Sequence, residues 1–138
     1  MINLGLTGAR TVVFDAGYVP DRAGLGSTTS MRLAEAGVRV ACVDYDQTRA
    51  EETVEAILAA GGDAFPLVAD VTVEEQVDAV LHESVAALGG LDTVVNIVGR
   101  ANWSRTTETS MQEWNEALAV NLRKRAVIRR VLSGVSRQ

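Results

Sequence analysis

Residues 11–44 read TVVFDAGYVPDRAGLGSTTSMRLAEAGVRVACVD, and this stretch decides the fold. Residues 11–14 form a short apolar run and residues 39–44 form a second, as in strands that are buried on both faces. Between them, residues 27–36 place apolar side chains at helical spacing, and Gly37 follows where a helix commonly ends. The stretch therefore predicts a strand, a glycine-containing turn, a helix and a second strand.

Strand and helix patterns continue to alternate through the rest of the sequence. Two further apolar runs occupy residues 64–70 and 91–98, and Pro66 indicates an edge position or a strand start for the first of them. Three further helices are predicted to begin at polar caps, at Asp46, at the capping box 72–75 and at the capping box 110–113. Alternation of this kind indicates right-handed βαβ units and a parallel sheet. We predict one Rossmann-type, doubly wound α/β domain over residues 1–138.

The composition excludes several classes of function. The net charge of −5 argues against a nucleic-acid-binding protein. Cys42 is the single cysteine, so no internal disulfide can form and a reducing compartment fits. No apolar run approaches the roughly 18 residues of a membrane span, and residues 1–10 lack a secretory pattern. We expect a cytoplasmic protein without a membrane segment, and no metal site, because His82 has no second His or Cys at ligand spacing.

Basic residues are concentrated at the end of the sequence. Six of the 13 lie in the last 16 positions, which contain no acid, and Lys124 is the only lysine. The sequence thus predicts a basic tail at about residues 123–138. It could contact phosphate or a membrane surface, complement the dipole of a helix C-terminus, or be a remnant of truncation or of a shifted reading frame.

The turn after the first strand contains candidate cofactor-binding residues. Gly17, Gly24, Leu25 and Gly26 lie where backbone N–H groups could approach a pyrophosphate near a helix N-terminus, although glycines in a loop are also common in simple turns. Asp44 ends the second strand 18 residues after Gly26, close to the spacing expected of a carboxylate that binds ribose hydroxyls. An acid there favours NAD over NADP; the alternative is that it caps the next turn.

Seven short segments follow the order and approximate spacing of a known family. They are residues 33–37 (LAEAG), 43–44 (VD), 69–71 (ADV), 90–92 (GLD), 95–99 (VNIVG), 113–114 (EW) and 120–122 (VNL). Together they resemble the cofactor-binding half of the short-chain dehydrogenases/reductases, over nearly the whole chain. The resemblance implies a sheet of about four strands in the order 3-2-1-4 and reversible hydride transfer between a nicotinamide cofactor and an alcohol or carbonyl.

The resemblance also implies roles for individual residues. Asp70 and Val71 match the pair that touches the adenine, and Asn96, Val98 and Gly99 match the segment that lies along the cofactor. Asn121 matches the asparagine that holds a water in the proton relay, and is the one candidate catalytic position.

The glycine-rich loop departs from the family pattern of Thr-Gly, three residues, then Gly-x-Gly. Counting along the chain places Asp15 at the threonine and Ala16 at the first glycine, with extra residues before Gly24. Asp15 and Asp21 also bring negative charge to a would-be pyrophosphate site, offset only by Arg22. In addition, Ile97 replaces a polar residue of the family segment.

The acid–base pair of the family is absent from these 138 residues. The family protonates the substrate with a tyrosine that precedes a lysine by four positions, but Tyr18 and Tyr45 are followed there by Arg22 and Arg49. We therefore expect this chain alone to be inactive and truncated before the catalytic Ser, Tyr and Lys. Alternatives are a non-catalytic interaction module and a half that another chain complements.

An unpaired fourth strand and a long last helix both favour self-association. The fourth strand has the apolar sequence of a central strand, yet the implied order leaves it at a sheet edge. The family commonly dimerises through the last helix. We therefore expect a homo-oligomer.

Overall fold

Parallel pairing of the short apolar runs builds the centre of the molecule. The computed structural model describes residues 5–19, 24–99 and 105–135. The described residues contain a sheet of four parallel strands in the order β3-β2-β1-β4, as predicted. The strands are β1 Arg10–Phe14, β2 Arg39–Asp44, β3 Asp63–Val68 and β4 Thr93–Asn96. Pro66 lies in the edge strand β3, where a residue without an N–H is tolerated.

Helices cover both faces of the sheet because successive strand residues point to opposite sides. They are α1 Leu25–Glu35, α2 Gln47–Ala59, α3 Glu74–Leu88, α4 Met111–Leu118 and α5 Lys124–Val135. Val13 packs in the cluster that includes residues of α1 and α2, whereas Val12 and Phe14 pack in the cluster that includes residues of α3 and α5. Each fully buried Val or Leu contributes about 1.5–3 kcal/mol. In the described ranges, no helix combines the length and apolar content needed to cross a bilayer.

The central strand β2 carries the only cysteine. Cys42 is completely buried in the cluster shared with α1 and α2. Burial raises the pKa of its thiol to about 11, with a smaller opposing effect from a hydrogen bond with Ser30. The thiol therefore stays protonated at neutral pH and behaves as a small core residue.

Helix starts agree with the sequence at two of the three predicted caps. The Asp46 side chain accepts a hydrogen bond from the N–H of Arg49, and Ser110 forms a complete capping box with Glu113. The predicted box at residues 72–75 is wrong. The residue at the N-cap position of α3 is Val73, and no side chain bonds to the first N–H groups of the helix. The hydroxyl of Thr72 donates instead to Asp70 Oδ1.

The last helix is interrupted, and the predicted basic tail is part of it. A π-helical segment, Ala119–Arg123, joins α4 to α5. Over Lys124–Val135 the chain is an amphipathic helix that buries Val127 and Val131, while Arg130 pairs with Glu74 of α3. Residues 136–138 of the predicted tail lie outside the described residues. The arginines of α5 therefore lie on the solvent-exposed side of a helix whose other side is packed.

An ion pair fastens the amino ends of β1 and β4. The guanidinium of Arg10 donates from Nε and Nη2 to the two carboxylate oxygens of Asp92, at 2.9 and 2.7 Å, and from Nη1 to the carbonyl of Gly89. The backbone N–H of Arg10 donates to the same carboxylate. These hydrogen bonds to Arg10 lower the pKa of Asp92 to about 2.

We predict that Asp92→Asn lowers the urea midpoint of unfolding at pH 7. A carboxylate whose pKa is depressed by folding stabilises the fold above its unfolded pKa of about 4 and loses that effect as pH falls towards about 2. The difference in midpoint between the variant and the original chain should therefore shrink over this range. Glu55→Gln, an exposed charge of α2, is the control. An equal effect of both substitutions at pH 7 would contradict the prediction.

Candidate functional site

A cleft lies at the carboxyl ends of the four strands, where the loops that follow parallel strands meet. Its volume is about 390 Å³, within the range of pockets that hold small ligands. The lining residues are Asp15, Val43, Asp44, Tyr45, Ala69, Asp70, Val71, Thr72, Val98, Gly99 and Val120. Three of them, one after each of β1 and β3 and one at the end of β2, are aspartates. Their carboxylates make the cleft rich in hydrogen-bond acceptors.

Hydrogen bonds to β2 and α2 hold the first half of the loop after β1. The N–H of Ala16 donates to the carbonyl of Val43 at 3.1 Å, and the hydroxyl of Thr53 donates to the carbonyl of Ala16 at 2.8 Å. The next N–H, that of Gly17, donates to Asp44 Oδ2 at 2.9 Å. A Cβ on Gly17 would lie 2.5 Å from that oxygen, so only glycine permits this contact.

Asp44 caps the turn that follows β2 and also lines the cleft, while its contact with ribose hydroxyls stays a prediction. It is 4% exposed and lines the cleft, yet its Oδ1 also accepts the N–H of Asp46 at 3.0 Å, which caps the following turn. A carboxylate offers about four acceptor sites, so two backbone donors leave capacity for a ligand hydroxyl.

Asp15 occupies the position in this loop where glycine is favoured. Its φ of 65° is left-handed, although counting along the sequence matches Asp15 to the threonine of the family loop and Ala16 to the first glycine. Burial raises the pKa of Asp15, and the nearby charge of Asp44 raises it further. Lys124 and Arg49 act in the opposite direction. Residues 20–23, with Asp21 and Arg22, lie outside the described residues.

Helix α1 starts in close contact with the end of β1. A Cβ on Gly26 would lie 1.6 Å from the carbonyl oxygen of Asp15, and one on Gly24 would lie 2.9 Å from the hydroxyl of Ser27. Gly24 is the cap residue of α1 and has no side chain to cover the first N–H groups. Both glycines therefore allow close contacts at the start of α1, which for Gly26 are with the end of β1.

The segment after β3 forms one side of the cleft. The carboxylate of Asp70 is exposed, and its Oδ1 accepts both the N–H and the hydroxyl of Thr72, at 2.8 and 2.7 Å. The backbone N–H of Asp70 donates to the side chain of Gln76. Val71 is 8% exposed and adds an apolar surface beside this carboxylate.

The segment after β4 meets the π-helical segment on the other side. Asn121 Oδ1 would be 3.4 Å from a Cβ on Gly99, so the residue predicted for the relay lies against the segment predicted to lie along the cofactor. Val98, Gly99 and Val120 line the cleft. Asn96 Oδ1 is buried and has no hydrogen-bond partner within the described part of the chain.

The structure thus gathers part of the predicted cofactor set. Asp44, Asp70, Val71, Val98 and Gly99 line the cleft, and Gly17 joins it through its bond to Asp44. The residues outside the lining are Gly24, Leu25, Gly26 and Asn96. Leu25 is 75% exposed. The cofactor-binding roles of all these residues, inside and outside the lining, stay predictions.

Sequence reasoning overlooked Lys124 as a residue of the interior. Its side chain is 1% exposed and its Nζ has no hydrogen-bond partner among the described residues. The signal was present, since Lys124 precedes the apolar residues Val127 and Ile128 by three and four positions, on the buried face of the helix. Because Lys124 is basic, the sequence analysis places it in the basic tail.

Comparison with known proteins agrees with this architecture. A family model described as enoyl-(acyl carrier protein) reductase matches residues 19–132. The chain belongs to the short-chain dehydrogenase/reductase family. It is 37% identical, over 98 residues, to a 2,5-dichloro-2,5-cyclohexadiene-1,4-diol dehydrogenase of Sphingobium indicum, covering 71% of this chain and 39% of that protein. It is 35% identical, over 102 residues, to a 3-oxoacyl-(acyl-carrier-protein) reductase of Staphylococcus aureus, covering 72% of this chain and 41% of that protein.

Solved structures of the family show the same arrangement. One short-chain dehydrogenase/reductase, from Burkholderia xenovorans, superposes with a TM-score of 0.89 at 31% identity, covering 94% of this chain and 51% of that one. The chain therefore spans about two-fifths of the length of the curated relatives it matches and about half of this solved relative. Members of the family bind a nicotinamide cofactor.

We predict that Gly26→Ala lowers the free energy of unfolding by about 3 kcal/mol, because its methyl group would collide with backbone that cannot move independently. Gly134→Ala is a matched control in α5, where a Cβ would meet nothing within 4 Å. It should leave stability unchanged or raise it by up to about 1 kcal/mol. Urea unfolding of both variants measures the difference. Equal effects would refute the close contact at α1.

Proposed function

We propose that the chain binds NAD(H) in the cleft at the carboxyl ends of the strands. The observation that carries this proposal is the meeting of Asp44 and the loop after β1 at the edge of a parallel sheet, which is where α/β proteins bind nucleotides. The bound cofactor would supply hydride transfer. The residues of this chain would bind and orient it.

The cleft fits the nucleoside end of the cofactor by its chemistry. Ribose hydroxyls and the adenine amino group are hydrogen-bond donors, and Asp44 and Asp70 present acceptors. Val71 offers an apolar surface for the base. The phosphates fit a helix N-terminus, and α1 begins at Leu25, after the cap residue Gly24, with no acidic residue in its first turn.

Charge supports a preference for NAD over NADP. The 2′-phosphate of NADP would add negative charge beside Asp44, which is buried and has no cationic partner in an ion pair of the described residues. Repulsion between such charges is about 1 to 4 kcal/mol at close range.

Turnover by these 138 residues alone is not expected. Reduction of a carbonyl needs a proton donor, and the sequence contains no tyrosine followed four positions later by a lysine. Asn121 matches the relay position of the family, but the tyrosine and lysine that such a relay supplies with protons are absent from these residues. We propose that oxidoreductase activity requires residues beyond these, in a longer protein or a second chain. The reactions named for the two relatives therefore indicate a class of chemistry, not a substrate.

We predict that the chain binds NADH more tightly than NADPH and that Asp44→Asn reduces this preference about tenfold, because the substitution removes the negative charge beside the 2′ position. Fluorescence titration with each cofactor measures it. Asp70→Asn removes the same charge from the same cleft and should change both affinities in parallel. Lack of saturable binding would contradict the proposal and favour a non-catalytic interaction module. An unchanged preference in Asp44→Asn would contradict the role of that residue.

Self-association is a second proposed property. It is supported by an apolar stripe, called the α4 stripe, that runs along α4 into the π-helical segment that follows it. Met111, Trp114, Leu118 and Leu122 recur at helical spacing and are 73%, 42%, 48% and 64% exposed. Clustered apolar exposure of this kind marks interaction surfaces. In the described residues β4 also pairs on one side only, with β1. We propose a homo-oligomer that buries the α4 stripe.

We predict that Leu118→Glu lowers the mass measured by light scattering at micromolar concentration, because it puts a charge into the proposed contact. Gln112→Glu adds the same charge to an exposed position of α4 on a different face of the helix and should leave the mass unchanged. A monomer in the original chain would contradict the prediction.

A cytoplasmic location is proposed as well. Its support is the single cysteine, which is free and buried, as suits a reducing compartment.

A further inference from the structure

Lys124 is the one lysine of the chain, and its charged group is buried. Its side chain is 1% exposed. Within the described residues, Lys124 Nζ and Asn96 Oδ1 are the two buried side-chain polar atoms that lack a hydrogen-bond partner. A buried ammonium group without a partner destabilises a fold. Its presence therefore needs a reason other than stability.

The position of Lys124 points to the cleft. Asn96 lies between Val94 and Val98, which pack on the α3 and α5 side, so alternation places its side chain on that same side. Lys124 shares that side through its helical spacing with Val127 and Ile128. The two unpartnered atoms thus lie on one side of the sheet. Lys124 also follows Val120, which lines the cleft, by four positions, about one turn of the helix.

Asp15 is the acidic group that Lys124 acts on. Asn96 is in register with Phe14, and Asp15 is the next residue, where β1 ends and the cleft begins. Lys124 opposes the rise in the pKa of Asp15 that burial and Asp44 cause. In turn, burial lowers the pKa of Lys124 to about 8, aided by Arg125 and opposed by Asp15. Lys124 therefore carries its charge at neutral pH.

We propose that Lys124 is a positioning residue for the dinucleotide: its buried ammonium group offsets the carboxylate of Asp15 and lets a polyanionic ligand enter the cleft. The inference rests on the proposed binding of NAD(H). Without this charge, Arg49 alone of the two cations that act on Asp15 would remain, and Asp15 and Asp44 would make the cleft more negative next to the phosphates. Lys124 acts through Asp15, since it does not itself line the cleft.

A double-mutant cycle with two measurements tests the proposal. The four proteins are the original chain, Lys124→Met, Asp15→Asn and the double variant. Met has a similar length without the charge, and Asn tolerates the left-handed backbone of Asp15. NADH affinity is measured by fluorescence titration at pH 7, and stability by urea unfolding.

Opposite changes in binding and stability are expected. Lys124→Met should weaken NADH binding about tenfold while raising the urea midpoint, because it removes a buried charge. In the Asp15→Asn background the same substitution should change the affinity by less than about threefold. If Lys124→Met does not fold, Lys124→Gln replaces it with the same expectation for binding.

Two results would overturn the proposal. One is an equal loss of affinity in both backgrounds, and the other is a parallel fall of binding and stability, which indicates packing alone. If the original chain binds no NADH, the proposed function fails. The free energies of unfolding of the four proteins then test whether Lys124 and Asp15 interact. Non-additive energies support Lys124 as the counter-charge of Asp15, and additive energies refute it.

Discussion

The close contact between helix α1 and the end of strand β1 is the constraint on which the site depends. A Cβ on Gly26 would lie 1.6 Å from the carbonyl oxygen of Asp15, so the helix can start there only on glycine. The chain leaves β1 through the left-handed Asp15 and turns towards β2, where Gly17 donates to Asp44. A wider turn would move this loop away from β2 and change the edge of the sheet where the cleft forms.

Regular elements were predictable from the sequence because burial imposes a period. The apolar runs of β1 and β2 predicted buried parallel strands. Asp46 and Ser110 predicted helix starts, because their side-chain oxygens accept hydrogen bonds from N–H groups that have no partner within the helix. The strand order followed from the family resemblance. Thr72 shows the limit of cap prediction, because a nearer acceptor, Asp70, takes its hydroxyl.

The candidate site was predictable only in part, because its chemistry depends on contacts between distant residues. The position of Asp44 at a strand end was readable, whereas its bond to Gly17, 27 residues earlier, was not. The burial of Lys124 was readable from its spacing to Val127 and Ile128, although a lysine among arginines is ordinarily expected to be solvated. The left-handed backbone of Asp15 was not readable either, because glycine is the residue that marks such positions in a sequence. Fold and site therefore carry separate information, and membership of the family does not settle which ligand a departing loop accepts.

Chemical modification of Cys42 can measure how often the centre of the sheet opens. The thiol is fully buried in β2, a strand with β1 on one side and β3 on the other, and its pKa of about 11 keeps it protonated. A thiol reagent can reach it only after β2 is uncovered, and fraying at the surface leaves it protected. Because the sequence has no second cysteine, the time course of labelling follows that single event. The rate of modification at this one atom therefore measures how often the centre of the sheet comes apart in native conditions.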